Sequence, residues 1–287
     1  MKGLILAGGN GTRLYPSTRA VSKQLLPVYD KPMVYYPLST LMLAGIRDIA
    51  VISSPGQLDN FKYLLGDGSR FGIDLTYFVQ DKPLGLADAY IVAEGFLNGS
   101  PSALILGDNL FYGAGLGQSL SDYAQKSTGA HVFASRVSDP PSYGILELDS
   151  TGRAVGIVEK PSNFVGNFAI PGLYFFDESA SERAKVQAPS LRGELEIADL
   201  LTSYLKEGNF SYTPLARGTV WLDMGTPDGL AEASDFVRIV QRRQKVQIAC
   251  LEEVAWNLNF VSTPELLKSI ESTPFGPYRS YLEELIQ

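Results

Sequence analysis

Glycines at positions 8, 9 and 11, followed by Arg13 in Gly8-Gly9-Asn10-Gly11-Thr12-Arg13-Leu14, are the first residues of this chain whose types could do chemistry. Glycine lets successive backbone N–H groups turn to one side as an anion nest, and the Arg13 guanidinium offers a fork of donors to phosphate oxygens. Leu14 stands where a dinucleotide fingerprint has its third glycine, and no Gly-Lys-Ser/Thr follows, so neither common phosphate loop is present. Lys23, in Ser22-Lys23-Gln24, adds a second cation. Farther on, Asp108 in Leu106-Gly107-Asp108-Asn109 can hold Mg²⁺ against a polyphosphate, because that ion takes one or two protein carboxylates plus water and substrate oxygens. Glu159 is suited to accept hydrogen bonds from sugar hydroxyls and Lys160 to neutralise a sugar phosphate. Asp223, in Trp221-Leu222-Asp223-Met224-Gly225-Thr226, offers a second metal carboxylate. Taken singly, each motif also fits an ordinary turn or surface pair.

These residues need elements to bring them together. Residues 2–7 read as a short buried strand ending in glycines, and strands are expected again at 48–54, 74–80 and 102–106, with helices at 33–44, 57–65 and 85–97 between them. Such alternation implies right-handed crossovers and an α/β, Rossmann-like, mainly parallel mixed sheet flanked by helices. Ligands collect at the carboxyl ends of such strands, where the glycine loop and Asp108 fall. From residue 129 the pattern changes. A β-hairpin is expected over 143–160 around Ser150, Thr151 and Gly152, then a strand at 167–176, a helix at 193–206 and a short strand at 220–223. Residues 227–287 read as a helical carboxyl-terminal extension of the same unit. The core is therefore expected over 1–226, its nucleotide-binding part over 1–128 and its sugar-binding part over 129–226.

With 287 residues, 45% of them hydrophobic, the chain can bury a full core. A net charge of −7 argues against a nucleic-acid or anionic-membrane binder, which would need clustered cations. The opening apolar run is too short for a signal peptide or a membrane span, so a cytoplasmic location is expected. The single cysteine, Cys250, excludes an internal disulfide and reads as a buried small hydrophobe. The single histidine, His131, lies in an apparent strand and reads as structural, which disfavours any mechanism needing a histidine base.

In order along the chain, GGNGTRL, SKQLLPV, LGDN, EKP, GELE and WLDMGT resemble the sugar nucleotidyltransferases, and the likeness spans essentially the whole sequence. The strings YDKPMVYYPLSTLMLAGIRDI and LGDNLFYG are similar to the branch that transfers thymidylate to glucose-1-phosphate. The resemblance implies dTTP or UTP and glucose-1-phosphate as substrates, Mg²⁺ as cofactor, a nucleotide-sugar product serving deoxysugar synthesis, and a homotetramer. By the same match Leu6, Gly8, Gly9, Gly11, Thr12, Arg13, Pro83 and Asp108 hold the nucleotide, with Gln24, Gln80 and Gly85 around the pyrimidine base. Tyr143, Gly144, Glu159, Lys160, Ile170, Tyr174 and Arg192 surround the sugar phosphate, and Asp108 and Asp223 are the metal ligands. Arg13, Lys23, Lys160 and Asp108 are the expected catalytic groups.

No general base is needed, because a sugar-1-phosphate, with a second pKa of about 6 by analogy with phosphoproteins, is largely dianionic at neutral pH and is itself the nucleophile. Two departures from the family's pattern bear on these expectations. Pro171 stands where a threonine is usual, so the strand there is expected to be an edge or a bulge. Ala114, Gly115 and Asn257 replace a His, an Asp and a cation at the family's second nucleotide-sugar site, which weakens the expectation of feedback inhibition. A uridylyltransferase or an enzyme using another sugar-1-phosphate such as an amino sugar, an inactive regulatory relative and a glycosyltransferase are the competing readings.

Overall fold

The computed structural model describes residues 1–126 and 128–287. Lys2–Ala7 lies between two parallel neighbours, Asp48–Ser53 and Ser102–Leu106, with Asp74–Val79 parallel beyond Asp48–Ser53. The inner strands read as apolar runs because both faces of this half-sheet are covered. Alternate side chains enter two separate cores, Ile5, Val51 and Ile105 one of them and Leu4, Ile52 and Leu104 the other. Full burial of each such side chain stabilises the fold by about 1.5–3 kcal/mol. Helices Tyr35–Leu43, Leu58–Leu65 and Leu116–Ala124 close the first core, and Asp88–Val92, Ala180–Val186 and Ile197–Lys206 close the second.

The far half of the same sheet is largely antiparallel. Leu173–Phe176 runs antiparallel to both Ser102–Leu106 and Ala130–Arg136. Phe168–Ala169, Gly144–Leu148 and Ala154–Glu159 follow in turn to the edge, and Phe210–Pro214 joins Ala130–Arg136 in parallel. The inserted hairpin is therefore the outermost pair. Its turn is held by the Asp149 carboxylate, which accepts from the N–H groups of Thr151 and Arg153.

Tertiary contacts override several local expectations. The helix expected over 33–44 spans Tyr35–Leu43 and stops at Gly45, which sits at φ 82°. The Gly45 N–H donates to the Met42 carbonyl and the Ile46 N–H to that of Leu41, the Schellman closure. The helix expected over 85–97 is two short ones, Asp88–Val92 and Glu94–Leu97, and that expected over 193–206 begins only at Ile197. Both shortened starts have one cause, since the Leu195 N–H donates to the Leu84 carbonyl and the Ala87 N–H to that of Leu195. The strand expected over 167–176 is divided at Pro171 into Phe168–Ala169 and Leu173–Phe176. Lacking an N–H, Pro171 interrupts the ladder inside the sheet instead of marking its edge, and its carbonyl accepts from the Leu173 N–H at 2.7 Å.

Beyond residue 226, helices Pro227–Gln244, Leu251–Asn257, Thr263–Ser272 and Pro277–Glu284 complete the chain, with Pro227, Pro264 and Pro277 in first turns where a missing N–H costs nothing. Cys250 is buried with Leu266, Ile270 and Leu282 in a small separate core. His131 stacks on Tyr123 at 3.7 Å and shares a hydrogen bond with the Ser211 hydroxyl at 2.8 Å. Burial, aided by the charge of Lys126, pushes its pKa down to about 4. Among the described residues no helix is long and apolar enough to cross a membrane.

Candidate active site

The glycine loop forms where Lys2–Ala7 ends. Gly9 at φ 100° and Gly11 at φ 57° take left-handed conformations that other residues adopt only under strain. Gly11 is further required because a Cβ there would come within 2.8 Å of the Thr18 side chain, whose hydroxyl donates to the Gly11 carbonyl. A single turn, Thr12–Leu14, follows, with Leu14 buried as an anchor and Arg13 exposed to the cleft. Gln24 is buried beneath the loop. Its amide nitrogen donates to the Gly8 carbonyl at 3.2 Å and its amide oxygen accepts from the Ser22 hydroxyl at 2.6 Å. Expected at the base, Gln24 lines the cleft but serves in this arrangement to fix the loop.

Asp108 and Asp223 are far apart in sequence and meet through a pairing the sequence did not suggest. Asn109–Tyr112 forms a strand antiparallel to Val220–Asp223, with Asp223 directly opposite Asn109, and the Met224 N–H donates to the Asp108 carbonyl. Gly225 then lies between the charged groups. A Cβ there would sit 2.6 Å from Arg13 Nη2, 2.9 Å from Asp223 Oδ1 and 3.2 Å from Asp108 Oδ2, so all three converge on one point. Lys23 Nζ lies 2.5 Å from Asp108 Oδ2, and Asn109 Nδ2 donates to Asp108 Oδ1 at 3.1 Å. Burial first, and then the neighbouring Asp108 charge, push the Asp223 carboxyl above the usual range, against the Gly225 N–H, Arg13 and Lys23, which act in the other direction. Two carboxylates facing one point, Asp108 buried and Asp223 half-buried, are a donor set that fits Mg²⁺, whose other ligands would be water and substrate oxygens. Among the described residues no group of three or more His, Cys, Asp and Glu could hold a metal, so this pair would be a two-carboxylate site.

At the base end, Gln80 closes Asp74–Val79 and Gly85 sits at φ 106° with its Cβ position only 2.4 Å from the Leu195 carbonyl oxygen. Gln80 Nε2 donates to the Gly85 carbonyl at 3.3 Å and to Asp88 Oδ2 at 2.7 Å. Pro83, Gly8, Gly9 and Gln80 share a cleft of about 270 Å³.

The sugar side is built on the outer hairpin. Glu159 pairs in register with Gly144, and the Ile170 N–H donates to the Gly144 carbonyl, which brings the break at Pro171 against the hairpin. Lys160 adopts φ 44°, unusual for a residue with a side chain, and its N–H donates to the Tyr143 carbonyl. Its ammonium lies 3.6 Å from Glu159 Oε1, while Arg192 is 2.8 Å from Glu196. Tyr143 meets the Trp221 ring edge-on at 5.1 Å, and Tyr174 is buried behind them. Glu159, Tyr174 and Asp223 line a pocket of about 170 Å³, and a further cleft of about 300 Å³ joins Gly8, Leu6 and Gln80 to Lys160 and Arg192. The structure thus brings every expected residue to one continuous groove except Thr12, which contributes to the loop alone.

Four groups with a place in this geometry were not anticipated. The Asn109 amide oxygen accepts from Trp221 Nε1 and from the Gly172 N–H at 3.2 Å, so Asn109 ties Asp108 to the two strands around it. Trp221, Gly225 and Asp88 complete the set. Gly225 was legible in principle as a glycine two residues after a carboxylate. Asp88 carries no sequence signal, because only the fold sets it against Gln80.

Residues 2–239 match the family model described as nucleotidyl transferase. The chain is 52% identical over its full length to the full length of the glucose-1-phosphate thymidylyltransferase of Neisseria meningitidis, and 47% identical, covering 100% of this chain and 99% of the relative, to that of Mycobacterium tuberculosis. Among solved structures it is similar to a Bacillus anthracis protein assigned as a glucose-1-phosphate thymidylyltransferase and crystallised with sucrose, with 36% identity and a TM-score of 0.77 over 83% of this chain and 95% of that one. A UDP-glucose pyrophosphorylase complexed with UDP-glucose shares the fold, with a TM-score of 0.73 at 23% identity over 85% of this chain and 99% of that one.

Proposed function

The chain belongs to the nucleotidyl transferase family and is a nucleotidyltransferase, and from that premise we propose that it transfers a thymidylyl group from dTTP to glucose-1-phosphate, giving dTDP-glucose and pyrophosphate for deoxysugar synthesis. The names of its full-length relatives support this reading. The observation that carries it is the convergence of Arg13, Lys23, Asp108 and Asp223 at the junction of the two halves of the groove. Residues 1–128 would hold the triphosphate and 129–226 the sugar phosphate, with 227–287 as an extension of the same unit, in a cytoplasmic homotetramer.

The reaction is an in-line displacement. The phosphate of the sugar, already ionised, attacks the α-phosphorus, and the bond to the β-phosphate breaks as pyrophosphate leaves. Lys160 and Arg192 hold the attacking phosphate, while the loop N–H groups and Arg13 hold the departing charge. Asp108 and Asp223 would hold Mg²⁺, which supplies neutralisation of the polyphosphate charge. Lys23 keeps Asp108 oriented and adds a positive charge beside the same phosphates. No proton has to be removed, consistent with the only histidine standing outside the groove.

Uracil presents the same hydrogen-bonding edge as thymine to Gln80, so UTP is the second reading. Pyrophosphate release measured with dTTP, UTP and dCTP against glucose-1-phosphate and an amino-sugar phosphate separates them. Highest kcat/KM is expected for dTTP with glucose-1-phosphate. A preference for UTP would replace the nucleotide assignment, and no turnover with any pair would leave a binding protein without this chemistry.

A further inference from the structure

We propose that Asp88 is a positioning residue that sets the polarity of base recognition: it holds the Gln80 amide with its oxygen toward the cleft, so that pyrimidines bearing a ring N–H are accepted and cytosine is refused. The proposal rests on the reading of the cleft as a nucleotide site and adds to it what fixes the base preference.

A glutamine amide has two ends of nearly equal size, and a free one turns over at little cost, presenting either an acceptor or a pair of donors. Gln80 is not free. Both hydrogens of its nitrogen meet groups that only accept, the Asp88 carboxylate at 2.7 Å and the Gly85 carbonyl at 3.3 Å. Turning the amide over would set its oxygen against those two oxygens, where Gln80 is 8% exposed and Asp88 7%. The chemistry of the partners therefore settles which end is which. Of the two contacts, the one to Asp88 is shorter and charge-assisted, hence the stronger. Gln80 Oε1 accepts from no group among the described residues and faces the Gly8 end of the cleft, 3.7 Å from the Cβ position there.

An acceptor in that place is met by the N3–H of thymine or uracil. Cytosine has a lone pair at N3, so the two acceptors would face each other and leave a desolvated polar group unpaired. Gln24 shows the contrast within the same groove. Its oxygen accepts from the Ser22 hydroxyl and its nitrogen donates to the Gly8 carbonyl, so Gln24 holds the loop, whereas Gln80 keeps its oxygen for the cleft.

The test is the ratio of kcat/KM for dTTP over dCTP, an internal ratio that does not depend on how much of a variant is folded. Asp88→Ala is expected to lower it by roughly tenfold or more, with KM for glucose-1-phosphate unchanged. Asp88→Asn, which keeps one acceptor oxygen, is expected between the two. In a Gln80→Ala background, Asp88→Ala should change the ratio no further, because its action passes through Gln80. An unchanged ratio in Asp88→Ala while Gln80→Ala lowers it overturns the role of Asp88 alone. No effect of Gln80→Ala overturns base reading by Gln80 and the proposal with it, while leaving thymidylyl transfer intact. An equal drop from Asp88→Ala in both backgrounds assigns Asp88 to something other than holding Gln80 and also overturns the proposal. If the unaltered enzyme turned over none of the triphosphates, the nucleotide reading itself would fall first.

Discussion

On the nucleotide side of the groove buried or half-buried hydrogen bonds hold Gln24 to Ser22 and Gly8, Gln80 to Asp88 and Asp108 to Asn109, whereas on the sugar side Glu159, Lys160 and Arg192 meet their partners in exposed ion pairs. The Lys160 and Arg192 side chains are 52% and 48% exposed. Exposed pairs of that kind contribute about 0–1 kcal/mol, so an arriving phosphate can take over either cation at small cost. Buried amides cannot be rearranged so cheaply, since each would leave an unpaired group behind. One half of the groove is thus set before any ligand arrives, and the other holds its cations in temporary neutralisation. The backbone supports the same division, with parallel strands and a fixed loop under the first and the outer antiparallel hairpin under the second.

The comparison is broken most severely at the carboxylates that both halves share. Asp223→Asn or Asp108→Asn is expected to lower kcat by roughly 10²–10⁴-fold, the equivalent of the several kcal/mol that a metal contributes to charge stabilisation. The fold should survive, which circular dichroism would show. A rate within twofold of the parent in either variant would remove that residue from the metal site and leave the two halves without a common ion.

A smaller effect tests the division itself. Arg13→Ala should lower kcat/KM for the triphosphate by roughly a hundredfold, because a bidentate, charge-assisted donor set is lost at the departing phosphates. Lys160→Ala should act mainly through KM for glucose-1-phosphate, by roughly tenfold, because an exposed ammonium gives modest binding energy. Initial rates with each substrate varied in turn measure both. Were Arg13→Ala to affect the sugar phosphate and Lys160→Ala the triphosphate, the two sides would have to be exchanged.

Much of the fixed half was legible along the chain. Glycines 8, 9 and 11 with Arg13, and a carboxylate after the strand ending at Leu106, are local signals, and the structure places them together at the ends of parallel strands. What the sequence concealed are the long-range pairings. Nothing local marks Asn109–Tyr112 as a strand, because its partner is Val220–Asp223, more than a hundred residues on, and that pairing alone brings Asp223 to Asp108. The late starts of the helices at Ile197 and Asp88 have the same origin, in the backbone bonds between Leu195 and Leu84 and Ala87. Asp88 has only the signature of an acidic residue in a first helical turn, and the fold alone sets it against Gln80.

The smallest expected effect separates the groove from its scaffold. His131 lies in Ala130–Arg136 outside the groove, and its imidazole is held down to about 4 from an ordinary 6.5, first by burial and then by Lys126. The unfolded chain takes up a proton near pH 6.5 that the folded chain refuses until about pH 4. Stability is therefore unaffected above the first value, falls between them and levels below the second, by up to roughly 3 kcal/mol. Denaturant unfolding at pH 7 and pH 4.5 should show this loss in the parent and much less of it in His131→Phe, which keeps the stack on Tyr123 but cannot titrate. Because the cause is local to the sheet beneath the sugar side, Lys160→Ala and Arg13→Ala should retain the full acid loss. If His131→Phe loses as much stability on acidification as the parent, the protons responsible are taken up elsewhere, and the carboxylates of the groove become the first place to look for them.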